Sequence, residues 1–324
     1  MRMKRPLRIA IPLLLTIGCA APRIIPAPPI AVAAPSPPAA VLHPCVLLHQ
    51  KYKTDASNAL DGGGPGKVEM IFASVLVQHP RFGAVVIDPA VGRDKAKDFG
   101  GTPWLLQREI GDGSQAVALA DLLANAGVPP ESVRFGLITH AHFDHIGGAP
   151  DIPAARIIVN EPELRFADTA HVLWFKVTPQ FEIDRIRERI QTIRLDGPPY
   201  EGFASSYDLF GDGSIVAVPT PGHTPGSVSW FVNSADGNRW LFVGDAAWLA
   251  EGISRPAHKG WIARTLDAEA PATGQSLAQL HAYQLARPVT NPPDGKGVHL
   301  LPAHDARMLD ALEPCRSAAP LPAR

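Results

Sequence analysis

The segment Thr139-His140-Ala141-His142-Phe143-Asp144-His145 places three imidazoles and a carboxylate within six positions, and Ile146-Gly147-Gly148 follows directly. Neutral imidazole nitrogen and carboxylate oxygen are natural donors to zinc and related divalent ions. His140 and His142 are two apart, so on an extended segment they project to the same side. A helical turn immediately afterwards would swing Asp144 and His145 toward a second position nearby. The glycines allow that helix to start close to a sheet. A lone histidine is more often a satisfied structural residue, but this density of donors points to metal chemistry. A bound ion lowers the pKa of water from about 15.7 to about 7 and polarises a carbonyl or phosphoryl oxygen. The sequence holds no GxSxG elbow that would argue for a serine nucleophile instead.

The elements that must position these residues read as mixed α/β. Strands are expected over 68–77 and 83–87, joined by the turn His79-Pro80-Arg81-Phe82, and over 133–139, which runs into the histidine cluster. Further strands are expected over 155–159, 214–218, 227–232, 239–243 and 297–301. A helix is expected over 114–126, with Ser114 as N-cap and Gly127 as its stop. Ile183, Ile186, Ile190 and Ile193 recur at helical spacing and predict a helix over 179–193; a helix is also expected over 275–286.

His140-Ala141-His142-Phe143-Asp144-His145 resembles the HxHxDH motif of the metallo-β-lactamase superfamily, and further motifs follow in the family's order. Thr220-Pro221-Gly222-His223 resembles its second motif, Phe242-Val243-Gly244-Asp245 its strand-end aspartate, and Leu301-Pro302-Ala303-His304 its last histidine. Val86-Ile87-Asp88 is similar to an early strand ending in a family aspartate, with Pro89-Ala90 in place of the usual Thr-Gly. The resemblance spans roughly 68–305. It implies an α/β fold of four layers, αββα, with two mixed sheets face to face and helices outside. It also implies two zinc ions per chain, with iron or manganese as alternatives. One would sit on His140, His142 and His223, the other on Asp144, His145 and His304. Asp245 and a hydroxide would lie between them, with Asp144 and Asp245 as the catalytic carboxylates.

Two segments resemble the acyl-homoserine-lactonase branch: 73–92, and 153–163 with its Arg156-Ile157-Ile158-Val159 strand. Those relatives usually carry a tyrosine three residues after the bridging aspartate, whereas Trp248 stands here. An indole donates one N–H but cannot transfer a proton. The resemblance implies hydrolysis of a lactone or a related ester or amide. The alternatives are a β-lactamase of the HxHxDH-using subclass B3, a glyoxalase II-like thioesterase, and a phosphoesterase. Phe143, Trp248 and Trp261 are candidates to line an apolar substrate pocket; Trp174 and Phe175 are equally well read as core, and His258 as a surface histidine.

The chain has 324 residues, 46% hydrophobic and 19% charged, with a formal net charge of -1. These values suit a large packed domain and argue against a nucleic-acid binder that works by phosphate neutralisation. Arg2, Lys4, Arg5 and Arg8 precede a short apolar run over 9–17, too short to span a bilayer as a helix. Leu15-Thr16-Ile17-Gly18-Cys19 resembles a bacterial lipobox. Residues 1–18 are thus expected to be a lipoprotein signal peptide, with Cys19 lipidated and the protein exported and anchored to the outer membrane from the periplasm. The alternative is an ordinary secretory signal cut near Ala21. Residues 19–44, rich in proline and alanine, read as a tether, and 45–324 as one catalytic domain acting on a small molecule. Cys45 and Cys315 sit at the two ends of that domain. In an oxidising compartment they are expected either to pair or to remain as buried thiols.

Overall fold

The computed structural model describes residues 38, 40–102, 104–169, 180–287 and 297–316. Its strands form two sheets. The first contains β1 (Cys45–Asp55), β2 (Lys67–His79), β3 (Gly83–Ile87), β4 (Val133–Leu137), β5 (Arg156–Asn160) and β6 (Ile190–Ile193), side by side in that order. β1 to β3 are antiparallel, and β3 to β6 run parallel. The second contains β7 (Tyr207–Asp208), β8 (Ile215–Pro219), β9 (Val228–Asn233), β10 (Arg239–Gly244) and β11 (Val298–Pro302), in the order β11-β10-β9-β8-β7. Only β10 and β11 are parallel there.

Apolar residues of the two sheets meet in a shared core that includes Val75, Ile87, Leu137, Trp230 and Phe242. Trp230 is fully buried, and its indole N–H donates to Ile138 O at 3.2 Å, which ties β9 to the end of β4. On the outer face of the first sheet, Leu119 and Leu123 of the helix Leu119–Asn125 pack with Ile183 and Ile186 of the helix Gln180–Ile186. On the outer face of the second, Leu277, Leu280 and Tyr283 of the helix Ala270–Ala286 cover Phe231 and Leu241. The order helix, sheet, sheet, helix is the expected αββα sandwich.

Local differences from the sequence reading have local causes. Strand β1 was not among the expected strands. It is an edge strand with half-buried Tyr52 and buried Thr54 alternating with outward Lys51 and Lys53, and such lysines discourage edge-to-edge pairing. The helix expected over 114–126 covers only Leu119–Asn125. Ser114 is not its N-cap, because its N–H is held by Asp112 Oδ1 at 2.9 Å in a turn. The helix start is served from a distance instead, by Asp151 Oδ2 accepting the Ala120 N–H. The helix expected over 179–193 stops at Ile186, and Ile190–Ile193 is strand β6, added parallel to β5. β-branched residues at both ends of that segment suit either state, and sheet pairing decides. Residue 179, Trp174 and Phe175 lie outside the described residues, as do residues 1–37. Packing begins slightly ahead of position 45: Leu42 is fully buried, and its N–H donates to Ser234 Oγ. Cys45 and Cys315 are joined in a disulfide with Cα atoms 4.9 Å apart.

Candidate metal centre

Strand ends deliver the candidate ligands. β4 ends at Leu137, and the chain continues extended through His142 (φ -79°, ψ 159°) before the single helical turn Phe143–Ile146. His140 and His142 therefore lie on one side, and Asp144 and His145 turn toward the neighbouring position. His223 comes from the loop between β8 and β9, Asp245 from the residue after β10, and His304 from just beyond β11. Gly244 makes the β10 end possible. Its φ is +54°, and a Cβ there would meet Thr139 Oγ1 at 2.7 Å.

These seven side chains converge. His140, His142 and His223 form one group of potential donor atoms, and Asp144, His145 and His304 form another; within each, the atoms lie within 4.8 Å of one another. Nε2 of His140 and Nε2 of His223 stand 3.1 and 3.0 Å from Nδ1 of His142. Asp245 sits between the groups. Its Oδ1 is 3.1 Å from His304 Nε2 and 3.4 Å from His145 Nε2, and its Oδ2 is 3.3 Å from His223 Nε2. All of these except Asp144, which is partly exposed, are buried.

The donor chemistry fits divalent cations. Among the described residues, His142 Nε2, His145 Nε2 and Asp245 Oδ1 are buried with no hydrogen-bond partner, a costly state for polar atoms unless a cation takes them up. Burial, reinforced by the neighbouring imidazoles, pushes His140 and His142 well below the ordinary histidine range, so both rings are in the neutral form that ligates metal. Burial also pushes His145 and His304 down. Carboxylates outweigh it, Asp88, Asp144 and Asp245 around His145 and Asp245 and Asp144 around His304, and both rings are raised.

A second layer of side chains orients the first. Asp88, at the end of β3 with φ +47°, accepts from Thr139 N–H and Thr139 Oγ1–H and contacts His145 Nδ1, each at 2.8 Å. Asp267 Oδ1 lies 2.8 Å from His223 Nδ1 and 2.6 Å from the buried Lys259 ammonium. Lys259 also donates to Asp245 O at 2.8 Å and lies over the Trp248 ring at 5.7 Å. Burial raises the Asp267 carboxyl, but Lys259 and His223 overcome it and hold the group at about 2. His304 Nδ1 donates to Ile71 O at 2.9 Å. Glu163 accepts from Ala141 N–H at 2.7 Å and Thr224 Oγ1–H at 2.5 Å, linking the histidine cluster to the His223 loop; burial raises its carboxyl to about 7. Sequence reasoning missed Glu163, Lys259 and Asp267, and no local pattern marks them.

A cavity opens onto Asp144, Asp245 and His304. Phe143 and Trp248 line it, together with Tyr52, Phe72, Leu106 and Leu266. Trp261 is a correction: it is 72% exposed and is not among the lining residues. His258 is half-buried and does not line the cavity either. The Trp248 N–H is spent on Asp245 Oδ2 at 2.7 Å, so it braces that carboxylate. The Tyr52 ring packs on Phe72 and approaches His304 edge-on. Burial and the Asp144 and Asp245 carboxylates raise its hydroxyl well above the usual phenol range and keep it protonated.

Comparison with known proteins places this geometry. The profile of the metallo-β-lactamase superfamily matches residues 72–294, more than half of the chain. The N-acyl homoserine lactonase AttM of Azorhizobium caulinodans is 29% identical over 218 residues, covering 64% of this chain and 77% of that one. Among solved structures, an N-acyl homoserine lactone hydrolase with the product N-hexanoyl-L-homoserine at its catalytic metal centre superposes with a TM-score of 0.63 at 15% identity, covering 85% of this chain and 98% of that one. The dizinc quorum-quenching lactonase AidC superposes with a TM-score of 0.56 at 14% identity, covering 87% and 92%. The chain belongs to the metallo-β-lactamase superfamily and is one of its metal-dependent hydrolases.

Proposed function

We propose that this hydrolase opens a lactone, or a closely related ester or amide bond, at a centre of two metal ions, zinc by preference of the donor set. The observation that carries the reading is Asp245, whose two oxygens face the two donor groups at the mouth of an apolar cavity. His140, His142 and His223 would hold one ion, Asp144, His145 and His304 the other, with Asp245 shared. Bound there, the ions would acidify water into a nucleophile at neutral pH and polarise the scissile carbonyl. The chain's own residues supply the rest. Phe72, Phe143 and Leu266 exclude bulk water and receive the apolar part of the substrate. Trp248 and Lys259 hold Asp245 from its side chain and its backbone. With the indole N–H committed to Asp245, Tyr52 is the phenol left facing the cavity, and it donates a hydrogen bond toward the substrate oxygen as negative charge develops.

The lactone preference is supported by the similarity to AttM, an N-acyl homoserine lactonase. The decisive experiment is a panel of lactone, β-lactam, thioester and phosphoester substrates run on the metal-loaded protein. Lactone should be cleaved with the highest kcat/KM. Efficient β-lactam cleavage with lactones untouched would replace this reading by a β-lactamase. Elemental analysis should give two ions per chain; a single tight ion in the fully loaded protein would overturn the dinuclear centre. We further propose that the protein is exported and anchored in the outer membrane through lipid on Cys19, on the strength of the lipobox-like sequence. Mass spectrometry of the mature N-terminus tests this, and an unmodified N-terminus beyond residue 19 would refute it.

A further inference from the structure

Two elements that border the cavity are built alike. In the helix Trp104–Ile110, the side chains of Leu106, Glu109 and Ile110 line the cavity. Trp104 and Arg108 are four positions apart, so they share the opposite face of that helix. Trp104 is 65% exposed, and Arg108 is exposed as well. In the turn over 260–266, Leu266 lines the cavity and Ala263 belongs to the buried cluster around Trp248, while Trp261 and Ile262 are 72% and 52% exposed. The turn is clamped on both sides of that exposed pair. Gly260 N–H donates to Asn58 O at 2.8 Å, and Ala263 N–H donates to Asn58 Oδ1 at 3.0 Å. A Cβ at Gly260 would collide with Ser57 O, so the backbone is seated against its neighbour. Asn58 also donates to Glu109, which ties the turn to the helix. Arg264 follows the pair, and neither Arg108 nor Arg264 forms an ion pair among the described residues. Glu109, the one acid on either element, turns inward to Thr54 and Asn58.

Apolar side chains exposed singly need no explanation, but three of them on the two elements that border one opening mark an interaction surface. Tryptophan and isoleucine beside arginine suit a lipid–water interface. The apolar groups enter the headgroup region, and the guanidinium groups meet the phosphates. We propose that Trp104, Trp261 and Ile262, with Arg108 and Arg264, dock the protein on an anionic phospholipid bilayer with the cavity mouth facing the lipid. The proposal takes from the export reading only that the chain meets a membrane. The N-terminal segment has the length this requires. It joins the domain at the start of β1, whereas Tyr52 and Thr54, near the other end of that strand, line the cavity. From Cys45 to Thr54 the strand covers about 30 Å. The 23 positions from Cys19 to Leu42, where packing begins, reach about 70 Å when extended. A lipid on Cys19 therefore leaves the mouth free to turn onto the same membrane, and an amphiphilic substrate then enters from the bilayer rather than from water.

The test places the mature protein on vesicles of phosphatidylethanolamine and phosphatidylglycerol whose tails carry bromine near the headgroups, which quenches tryptophan on contact. Fluorescence should be quenched, and Trp104→Phe and Trp261→Phe should each remove part of the quenching. Arg108→Gln and Arg264→Gln should each weaken docking by about fivefold, and raising the salt concentration should act in the same direction. Melting temperatures of these variants should match that of the unaltered protein. No quenching in the unaltered protein, or quenching that survives both tryptophan substitutions, would overturn the proposal. So would a dimer in solution that Trp261→Ser dissolves while the vesicles leave the fluorescence unchanged, because the face would then be a contact between copies of this chain. If Cys19 proves to carry no lipid, the mature protein should still sediment with the same vesicles and be released by Trp261→Ser with Ile262→Ser. The anchor then fails and the surface stands. If Cys19 carries lipid and the tryptophans stay unquenched, the anchor stands and the surface falls.

Discussion

His145 and His223 each set a ring nitrogen against a carboxylate oxygen at 2.8 Å, yet the two carboxylates are anchored in different ways. Asp88 is held by the backbone and hydroxyl of Thr139, so the His145 side is braced by neutral groups at adjacent strand ends. Asp267 is held by the Lys259 ammonium, which also grips the Asp245 carbonyl, so the His223 side is braced by a buried charge on a loop. Neutral bonds to strand ends cost little desolvation and are rigid. A buried ion pair is costly to form and more costly to break. One half of the centre should therefore tolerate substitution far better than the other.

Removing what the halves share should have the largest effect. Asp245→Ala is expected to lower kcat by about 10³-fold or more, equivalent to roughly 4 kcal/mol of barrier. Elemental analysis should show both metals weakened; retention of one at full affinity would mean that Asp245 serves a single side. Next, Lys259→Met leaves the buried Asp267 carboxylate with the His223 ring but no formal countercharge, and should lower stability in urea by about 3–5 kcal/mol. The double variant with Asp267→Asn should recover part of that loss. If the single variant is neutral, the charge bracing is not a structural requirement. Smaller again, Asp88→Asn should weaken one ion by about 10–100-fold in chelator competition, the scale for an outer hydrogen-bond partner of a ligand. Equal weakening of both ions would erase the contrast between the halves. The mildest change is Trp248→Phe, which removes one N–H from Asp245. A loss in kcat below about 10-fold is expected, less than the ~10²–10³ associated with a donor that acts on the reacting oxygen. A larger kcat loss at constant KM would assign the indole a direct role.

The same asymmetry governs what could be read from the sequence. The strand-braced half was legible because its residues stand at the ends of apolar runs: Asp88 follows Val85-Val86-Ile87, and His140 follows the strand from Val133. The seven donors come together because each lies at or near such an end. On the other side His223 was legible, but its charge bracing was not. Lys259 and Asp267 lie in an irregular loop with no periodicity, and Asp267 meets His223 across 44 positions. Glu163 is the last residue of the recognised segment 153–163, but its partner Thr224 is 61 positions away, so nothing local marked its role. Trp261 shows the opposite failure, where an aromatic type suggested a pocket but the fold turned the ring to solvent. Ile190 and Ile193 misled because their spacing fits a helix while their branching fits a strand, and only the exposed edge of β5 resolves the choice.

The bond between Cys45 and Cys315 joins residues 270 positions apart, next to backbone pairing of Val46 with Glu313 and Cys315. Its consequence is topological. The domain is covalently a ring, with the N-terminal and C-terminal segments leaving from one point. A pull on the N-terminal segment is taken up at that closure and cannot peel β1 from the sheet starting at its end. A protease that cuts any single surface loop converts the ring into one linear chain whose two pieces remain attached. The seven donors, spread from His140 to His304, all lie inside the ring. A nicked molecule would thus keep both halves of the centre on a single covalent body, and two cuts would be needed to release a fragment.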